Sequence, residues 1–190
     1  AENKVQAVNM YTPPQFSLLD RLLYNLENTS SDIKRDKGTR FETLIRDWLT
    51  KEPTYRDLFS EVLTYKDWSQ KHPELVSSSR DIGIDLVGVN ADDNRFTAIQ
   101  CKFYDKKATV PKGGVDSFLA SSSKPFFTRR FLVATNENWS DNVREELDRQ
   151  VPPVTLITRE TLASSTVDWD AYQRGELKEV AKRTPRDYQE

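Results

Sequence analysis

The stretch AIQCK, residues 98–102, places an amide and an ammonium group one residue apart in an otherwise apolar run. Successive side chains of a β-strand point to opposite faces, so Gln100 and Lys102 share one face while Ile99 and Cys101 share the other. Polar side chains on a buried face are costly unless they have partners. The stretch therefore predicts a strand that carries a functional site as well as part of a core.

A hairpin is predicted around this stretch. The segment DIGIDLVGV (81–89) is apolar on both faces, which is typical of an inner strand. The residues NADDN (90–94) have the composition of a turn, and RFTAIQCKFY (95–104) is predicted to be the returning strand. A turn at this place would bring Asp85 close to residues 100–102.

Asp85, Gln100 and Lys102 then form a candidate metal and catalytic centre. A buried carboxylate needs a partner, and hard divalent cations such as Mg²⁺ bind carboxylate, amide and backbone carbonyl oxygens. Asp85, the amide oxygen of Gln100 and the backbone carbonyl of Cys101 supply that set. Lys102 would hold an attacking water or offset negative charge that develops on a phosphate.

The remaining segments predict helices and two further strands. The spacing of apolar residues predicts helices at 13–28, at 39–52, from about residue 115, at 140–150 with Ser140 as N-cap, and in short pieces after residue 158. Strands are predicted at 129–136 and 153–158, whereas 54–81 is interpreted as short helical pieces. This order predicts an α/β fold with a mixed central sheet flanked by helices.

The composition is that of a globular chain with a highly charged surface, since 36% of the 190 residues are hydrophobic and 31% are charged. No apolar run approaches the roughly 20 residues of a membrane span, and the first residues lack a signal-peptide pattern. One cysteine and one histidine exclude an internal disulfide and a zinc site of Cys and His ligands. We therefore expect a cytoplasmic protein with no membrane partner.

The net charge of −2 hides a basic stretch that follows directly after the polar strand. Residues 101–130 contain seven basic and two acidic residues, so this stretch carries a charge of +5. It is either a solvated surface or a patch that faces the phosphates of a nucleic acid. The predicted DNA-binding residues beyond Lys102 are Lys106, Lys107, Lys112, Lys124, Arg129 and Arg130.

Four motifs, in this order, resemble the Mrr-like branch of the PD-(D/E)xK nuclease superfamily. They are GTRFE (38–42), DIGID (81–85), QCK (100–102) and ATNENWS (134–140). The resemblance covers residues 38–162. It implies a restriction-endonuclease-like fold and a Mg²⁺-dependent endonuclease that acts on double-stranded DNA.

The resemblance also implies roles for individual residues. Asp85 is the metal-binding carboxylate, Gln100 replaces the acid that the superfamily more often has, and Lys102 is the catalytic lysine. Glu42 is either a helical acid that completes the metal site or a solvent-facing helix residue. Asp81 lies near the site, where it either binds metal or bounds the strand.

Two alternatives remain open from the sequence. The replacement of an acid by Gln100 allows a catalytically inactive relative that only binds DNA or docks on a motor domain. A nuclease of the same fold that acts on RNA or on Holliday junctions is the other alternative. Cleavage of plasmid DNA in the presence of Mg²⁺ would distinguish an active DNA nuclease from the first of these.

The segment KRTPRDYQE (182–190) resembles the entry to a superfamily 2 helicase-type motor. Together with the nuclease motifs, it implies the layout of single-polypeptide Type I-like (Type ISP) restriction-modification enzymes. We expect an N-terminal helical segment (1–36), a nuclease core (37–165) and a helical connector (166–190). In that layout linked motor and methyltransferase domains use ATP and S-adenosylmethionine, other domains recognise the sequence, and a second nuclease domain joins by dimerisation during cleavage.

Overall fold

A five-stranded mixed sheet forms the centre of the computed structural model, which describes residues 16–28, 34–76, 83–105 and 107–173. The β1–β2 and β2–β3 pairs are antiparallel, whereas the β3–β4 and β4–β5 pairs are parallel. In chain order, which is also the order in the sheet, the strands are β1 (Phe59–Thr64), β2 (Leu86–Asn90), β3 (Phe96–Lys102), β4 (Phe127–Ala134) and β5 (Val154–Ile157). The predicted mixed sheet and the predicted hairpin are confirmed.

Helices cover both faces of this sheet, as predicted. One face carries α1 (Phe16–Asn28), α2 (Lys34–Lys51), α6 (Arg159–Ala163) and α7 (Trp169–Gln173). The other face carries α3 (Tyr65–Lys71), α4 (Gly113–Ser121) and α5 (Asp141–Asp148). Side chains that alternate along β3 contribute to both cores. Ile99 belongs to the core under α1 and α2, and Ala98 belongs to the core under α4 and α5.

Strand β1 corrects the prediction of short helical pieces over residues 54–81. It lies at the edge of the sheet, and its register with β2 shifts between Phe59 and Glu61. Phe59 and Val62 are buried while Ser60 and Glu61 between them are exposed. Such an irregularity removes the alternation by which a strand is recognised in a sequence.

Two other element boundaries differ from the predictions. Helix α2 begins at Lys34, five residues before the predicted start, because the polar residues 34–38 continue the helix without adding apolar periodicity. Strand β2 begins at Leu86 rather than at residue 81. Gly83 has a φ of 96°, which a regular strand does not adopt, and Asp81 lies outside the described residues.

The ends of the described chain pack together. Helix α1 contacts α6 and α7, and Leu19 of α1 and Trp169 of α7 belong to one core. The predicted division at residues 36/37 and 165/166 stays a prediction, and the motor-like segment 182–190 lies outside the described residues. Within the ranges that the structure covers, no helix has both the length and the apolar character needed to cross a bilayer.

Candidate active site

An open cleft of about 740 Å³ lies between helix α4 and the ends of β2 and β3 that are far from the hairpin turn. The three side chains that the sequence predicted as a centre all line it. The α4 side is formed by small residues and one lysine. The described lining residues are Gly83, Asp85, Gln100, Lys102, Gly113, Gly114, Ser117, Ala120, Ser121 and Lys124.

Backbone hydrogen bonds fix Asp85 just before strand β2. Its N–H donates to the carbonyl of Ile99 at 2.9 Å, and its carbonyl accepts from the N–H of Tyr65 at 2.9 Å. Its carboxylate oxygen Oδ2 accepts a 2.7 Å hydrogen bond from the N–H of Cys101. The hairpin therefore holds the carboxylate against the strand that carries Gln100 and Lys102.

The side chain of Gln100 is buried without a hydrogen-bond donor for its oxygen. Its exposed fraction is 2%, and Oε1 has no hydrogen-bond partner among the described residues. A buried polar atom in this state costs about 1–3 kcal/mol, so such atoms are rare unless a ligand or water satisfies them. Gln100 also lines the cleft, so the amide with this unpartnered oxygen lies beside the space that a ligand would fill.

Lys102 and Cys101 point to opposite sides of β3, as strand alternation predicts. Lys102 is half-buried and lines the cleft, whereas Cys101 packs against the core under α2. Burial raises the pKa of the Cys101 thiol well above its usual value, the charges of Asp85 and Glu42 raise it further, and Lys102 lowers it. The thiol is therefore protonated at neutral pH, which leaves only the backbone of Cys101 as a donor to a metal.

Glu42 lies on α2, on the sheet face opposite to α4. It is half-buried and is not among the described residues that line the cleft. Its charge nevertheless reaches Cys101, whose backbone N–H binds Asp85. The structure thus places Glu42 on the α2 side of the sheet, close to Cys101.

The oxygen donors at the centre fit a hard divalent cation but are few. Among the described residues, no cluster of three His, Cys, Asp or Glu side chains is arranged to hold a metal ion. The candidate ligands are the carboxylate of Asp85, the unpartnered amide oxygen of Gln100 and the backbone carbonyl of Cys101. Amide and carbonyl oxygens are ordinary ligands of Mg²⁺ and Ca²⁺, so the unpartnered oxygen supports the fit.

Of the four lysines predicted to bind DNA, one lines the cleft, two are exposed between β3 and α4, and one lies outside the described residues. Lys124 is exposed and lines the cleft, and Lys112 is exposed at the N-cap of α4. Lys107 is exposed in the loop after β3. Lys106 is not described.

The two predicted DNA-binding arginines are engaged elsewhere. Arg129 forms a bidentate ion pair with Asp92 of the hairpin turn, at 2.7 and 3.0 Å. Arg130 is 1% exposed, and its Nη2 donates to Gln150 Oε1 at 2.9 Å and to the carbonyl of Pro152 at 2.8 Å. These placements do not suit phosphate contacts, so we leave both arginines out of the proposed DNA interface.

Thr135 fixes the backbone around Lys102 and was missed as a site residue by the sequence analysis. Its N–H donates to the carbonyl of Lys102 at 3.2 Å. Its hydroxyl accepts from the N–H of Tyr104 and donates to the carbonyl of Tyr104, both at 2.8 Å. Arg159 donates to the carbonyl of Thr135 at 3.1 Å and pairs with Asp20 of α1. The motif ATNENWS thus holds the end of β3, the strand that carries Gln100 and Lys102, through the hydrogen bonds of Thr135.

Comparison with known families identifies the class to which this fold and cleft belong. A family model, Mrr_cat_2, described as a restriction endonuclease, matches residues 50–179. The chain therefore belongs to this family of restriction endonuclease domains. The predicted Mrr-like nuclease relationship is confirmed.

One solved structure agrees with this assignment. The chain is similar, with 28% sequence identity and a TM-score of 0.65, to the ATP-dependent Type ISP restriction-modification enzyme LlaBIII bound to DNA. The match covers 87% of this chain and 10% of that one, so the chain corresponds to about a tenth of the length of LlaBIII. The likeness confirms the restriction-endonuclease-like fold.

A second structural match is more distant. It is the MspJI restriction endonuclease in complex with a 27-mer oligonucleotide, with 16% identity, a TM-score of 0.35 and coverage of 70% of this chain and 32% of that one. Likeness at this level supports no conclusion. No curated protein sequence matches the chain.

Proposed function

We propose that this chain is a Mg²⁺-dependent endonuclease domain that hydrolyses phosphodiester bonds of double-stranded DNA. One observation carries the proposal: Asp85, the buried and unpartnered oxygen of Gln100, and Lys102 meet in one open cleft. An acid, an oxygen donor and a cation around an accessible space are the groups that metal-assisted phosphodiester hydrolysis requires. Membership of a restriction endonuclease family supports the same reaction.

The side chains have separate tasks in this reaction. Asp85, Gln100 and the carbonyl of Cys101 would hold the divalent cation, and Glu42 would add negative charge from the α2 side of the sheet. When bound, the cation supplies Lewis-acid polarisation of the phosphate and a more acidic water. Lys102 positions the attacking water and stabilises negative charge on the phosphoryl oxygens as the transition state forms.

The small number of carboxylates makes metal binding depend on the substrate. Asp85 is the one described carboxylate in the cleft, where the superfamily more often has two acids. Affinity for divalent cations decreases when fewer charged ligands are present, so phosphate oxygens of DNA would complete the coordination. The same shortage is what favours the inactive, DNA-binding alternative. The substitution Gln100→Glu distinguishes the active nuclease from the inactive alternative. In an active nuclease it should lower the Mg²⁺ concentration needed for cleavage.

We further propose that the domain works inside a longer, ATP-dependent restriction enzyme. The similarity to a tenth of LlaBIII supports this layout. Motor and methyltransferase domains would use ATP and S-adenosylmethionine, and sequence recognition would reside outside residues 1–190. Tethering to such domains raises the local concentration of DNA at the cleft, so the domain alone should bind and cut DNA weakly.

A nicking assay on supercoiled plasmid tests the proposed reaction in the 190-residue chain. Mg²⁺ and Mn²⁺ should support nicking, whereas Ca²⁺ should support binding without nicking, because a larger ion with looser coordination orients water poorly. Asp85→Asn should abolish nicking and weaken Mn²⁺ binding measured by calorimetry. Asp148→Asn, an exposed change on α5, is the matched control. Full nicking in excess chelator, or by Asp85→Asn, would overturn the proposal.

A further inference from the structure

Helix α4 has two faces of opposite character. Val115, Phe118 and Leu119 point into the core between the helix and the sheet. The face that lines the cleft carries only small side chains, which lie within one helical stripe: Gly113, Gly114, Ser117, Ala120 and Ser121. We call this α4 side of the cleft, which faces the strand with Gln100 and Lys102, the wall. Because its side chains are small, the wall consists largely of exposed helix backbone.

Packing explains two glycines at the cleft but not the third. A Cβ on Gly83 would lie 3.1 Å from the backbone nitrogen of Phe118, and the residue has a positive φ. A Cβ on Gly114 would lie 3.1 Å from the hydroxyl of Tyr104. A Cβ on Gly113 would meet nothing within 4 Å. Glycine weakens a helix, and no contact at position 113 requires it. Its lack of a side chain leaves space open on the cleft side.

The start of α4 and the oxygen of Gln100 call for ligands of opposite charge. The positive end of the helix dipole lies where Gly113 opens to the cleft, and the N-cap residue Lys112 makes no side-chain capping hydrogen bond. The N–H groups of residues 114–116 donate to the carbonyls of Pro111 and Lys112, so this end attracts a phosphate through its dipole rather than through unpaired N–H groups. Gln100 independently places a buried, unpartnered oxygen beside the same cleft, which suits a cation. A DNA phosphate together with a divalent cation meets both requirements at once.

The other end of the wall carries Lys124. It is exposed, lines the cleft and forms no salt bridge with any described residue that the structure shows, unlike Arg129. The nine residues of α4 extend about 13 Å, and successive phosphates of one DNA strand rise about 3.4 Å along the duplex axis. A strand whose duplex axis ran parallel to α4 would thus pass about four nucleotides along the length of this helix.

The chemistry of the wall suits the sugar-phosphate backbone rather than the base edges. Its polar groups are the hydroxyls of Ser117 and Ser121, the ammonium of Lys124 and the helix backbone. Arg, Asn, Gln and Glu, which read base edges, do not lie on the described α4 side of the cleft, and the Lys and Ser side chains that do lie there are ordinary phosphate-binding groups.

We propose that the small-residue face of α4, from Gly113 to Lys124, is a positioning surface that holds the backbone of one DNA strand against Asp85, Gln100 and Lys102. The wall keeps the strand at a fixed distance from the catalytic residues, regardless of sequence. The proposal rests on the proposed function, because it takes DNA as the substrate of this cleft. It adds which surface holds the strand and how far along the strand that surface reaches.

The test compares bulk and charge on the wall with matched changes outside it. Ala120→Leu fills the cleft, and Ser123→Leu adds the same side chain at an exposed position of the same segment that does not line the cleft. Lys124→Gln removes the cation from the wall, and Lys66→Gln removes an exposed cation on α3. Fluorescence anisotropy with two unrelated 20-base-pair duplexes in Ca²⁺, over a range of salt, measures binding separately from cleavage.

Ala120→Leu should weaken DNA binding and plasmid nicking about tenfold or more, whereas Ser123→Leu should change neither. Lys124→Gln should weaken both duplexes equally and reduce the salt slope of binding by about one, whereas Lys66→Gln should not. Calorimetric Mn²⁺ binding and the thermal unfolding midpoint should stay at the values of the unchanged chain, because the metal ligands and the core are intact.

The results separate failure of this inference from failure of the proposed function. If the unchanged chain binds DNA and both wall variants bind like their controls, the inference is overturned even when nicking is Mg²⁺-dependent. If the unchanged chain binds no DNA, the inference is overturned as well. If the wall variants lose DNA binding while the chain never nicks DNA, the inference stands and the catalytic proposal falls. If Ala120→Leu does not fold, the double variant Ser117→Leu/Lys124→Gln tests the inference by the same measurements.

Discussion

Each of the two ends of the central strands buries a side-chain amide, and the two amides differ in their hydrogen bonding. At the hairpin end, Asn90 is 0% exposed, its Nδ2 donates to Asp93 and Thr128 at 3.0 and 2.9 Å, and its Oδ1 accepts from Thr97 at 2.6 Å. At the cleft end, Gln100 is 2% exposed and its oxygen has no described partner. The complete set of hydrogen bonds around Asn90 is that of a structural amide, whereas the missing donor at Gln100, beside the cleft, is what the proposed function assigns to a ligand.

The basic side chains divide in the same way. Arg129 lies at the hairpin end, where its hydrogen bonds to Asp92 raise its own pKa and lower the pKa of that carboxyl. Lys102 and Lys124 line the open cleft. The +5 stretch is therefore not one surface: part of it stabilises the fold, and part of it is available to a phosphate.

The largest expected difference between the two ends concerns their cations. Lys102→Met should lower the single-turnover rate of plasmid nicking by roughly 10²–10³-fold, the usual loss when a positioned transition-state contact is removed. Arg129→Met should leave that rate unchanged and cost at most about 1 kcal/mol of stability, because its ion pair with Asp92 is partly exposed. Equal rate losses in the two variants would contradict the division of charges.

The two buried amides should respond oppositely to replacement by apolar side chains. Asn90→Leu should lower the free energy of unfolding in urea by about 1–3 kcal/mol, because it leaves the buried hydroxyl of Thr97 without an acceptor. Gln100→Met should leave that free energy unchanged or slightly raised, yet abolish nicking. Nicking per folded molecule should survive in Asn90→Leu. Strong destabilisation by Gln100→Met would show that its oxygen has a structural partner.

A smaller effect is expected at the contacts of Thr135 with the end of β3. Thr135→Val removes the two side-chain hydrogen bonds to Tyr104 and should lower the nicking rate about tenfold, since small displacements of a catalytic group are costly. Thr135→Ser keeps both hydrogen bonds and should restore the rate. Mn²⁺ and DNA affinities should be equal in both variants, which a general loss of structure would not allow.

The smallest expected effect is at Glu42. Glu42→Gln should raise the Mg²⁺ concentration for half-maximal nicking a few-fold and leave the maximal rate nearly unchanged, because its charge acts through Cys101 from the α2 side of the sheet. Glu145→Gln, an exposed change on α5, serves as control. A loss as large as that of Asp85→Asn would instead make Glu42 a direct metal ligand.

Local sequence patterns predicted much of this structure, and the predictions that were wrong have identifiable causes. The β2–β3 hairpin followed from two apolar strands around a turn, and the meeting of Asp85 with Gln100 and Lys102 followed from the hairpin. Strand β1 was missed because its register shift removes alternation. Arg130 was placed on the surface because a sequence shows charge but not the carbonyl groups, from residues 119 and 152, that surround it.

The contacts of Thr135 with the end of β3 and the wall formed by α4 were not predicted from the sequence, for a different reason. The contact of Thr135 with Lys102 joins residues that are far apart in the chain, and only the parallel pairing of β3 with β4 brings them together. The small residues of α4 are visible in the sequence, but their meaning depends on which face of the helix packs on the sheet. Such tertiary information has no local signature.

Helix α4 is also the connection between the parallel strands β3 and β4, which has a consequence for the timing of folding. Parallel neighbours need a crossover, and α4 lies in that crossover. The described lining of the cleft ends at Lys124, so a chain emerging from the ribosome has all of these residues only after residue 124, although the hairpin with Asp85, Gln100 and Lys102 is complete by residue 102. A chain that stops between these two points would carry the three proposed site residues without the α4 side of the cleft.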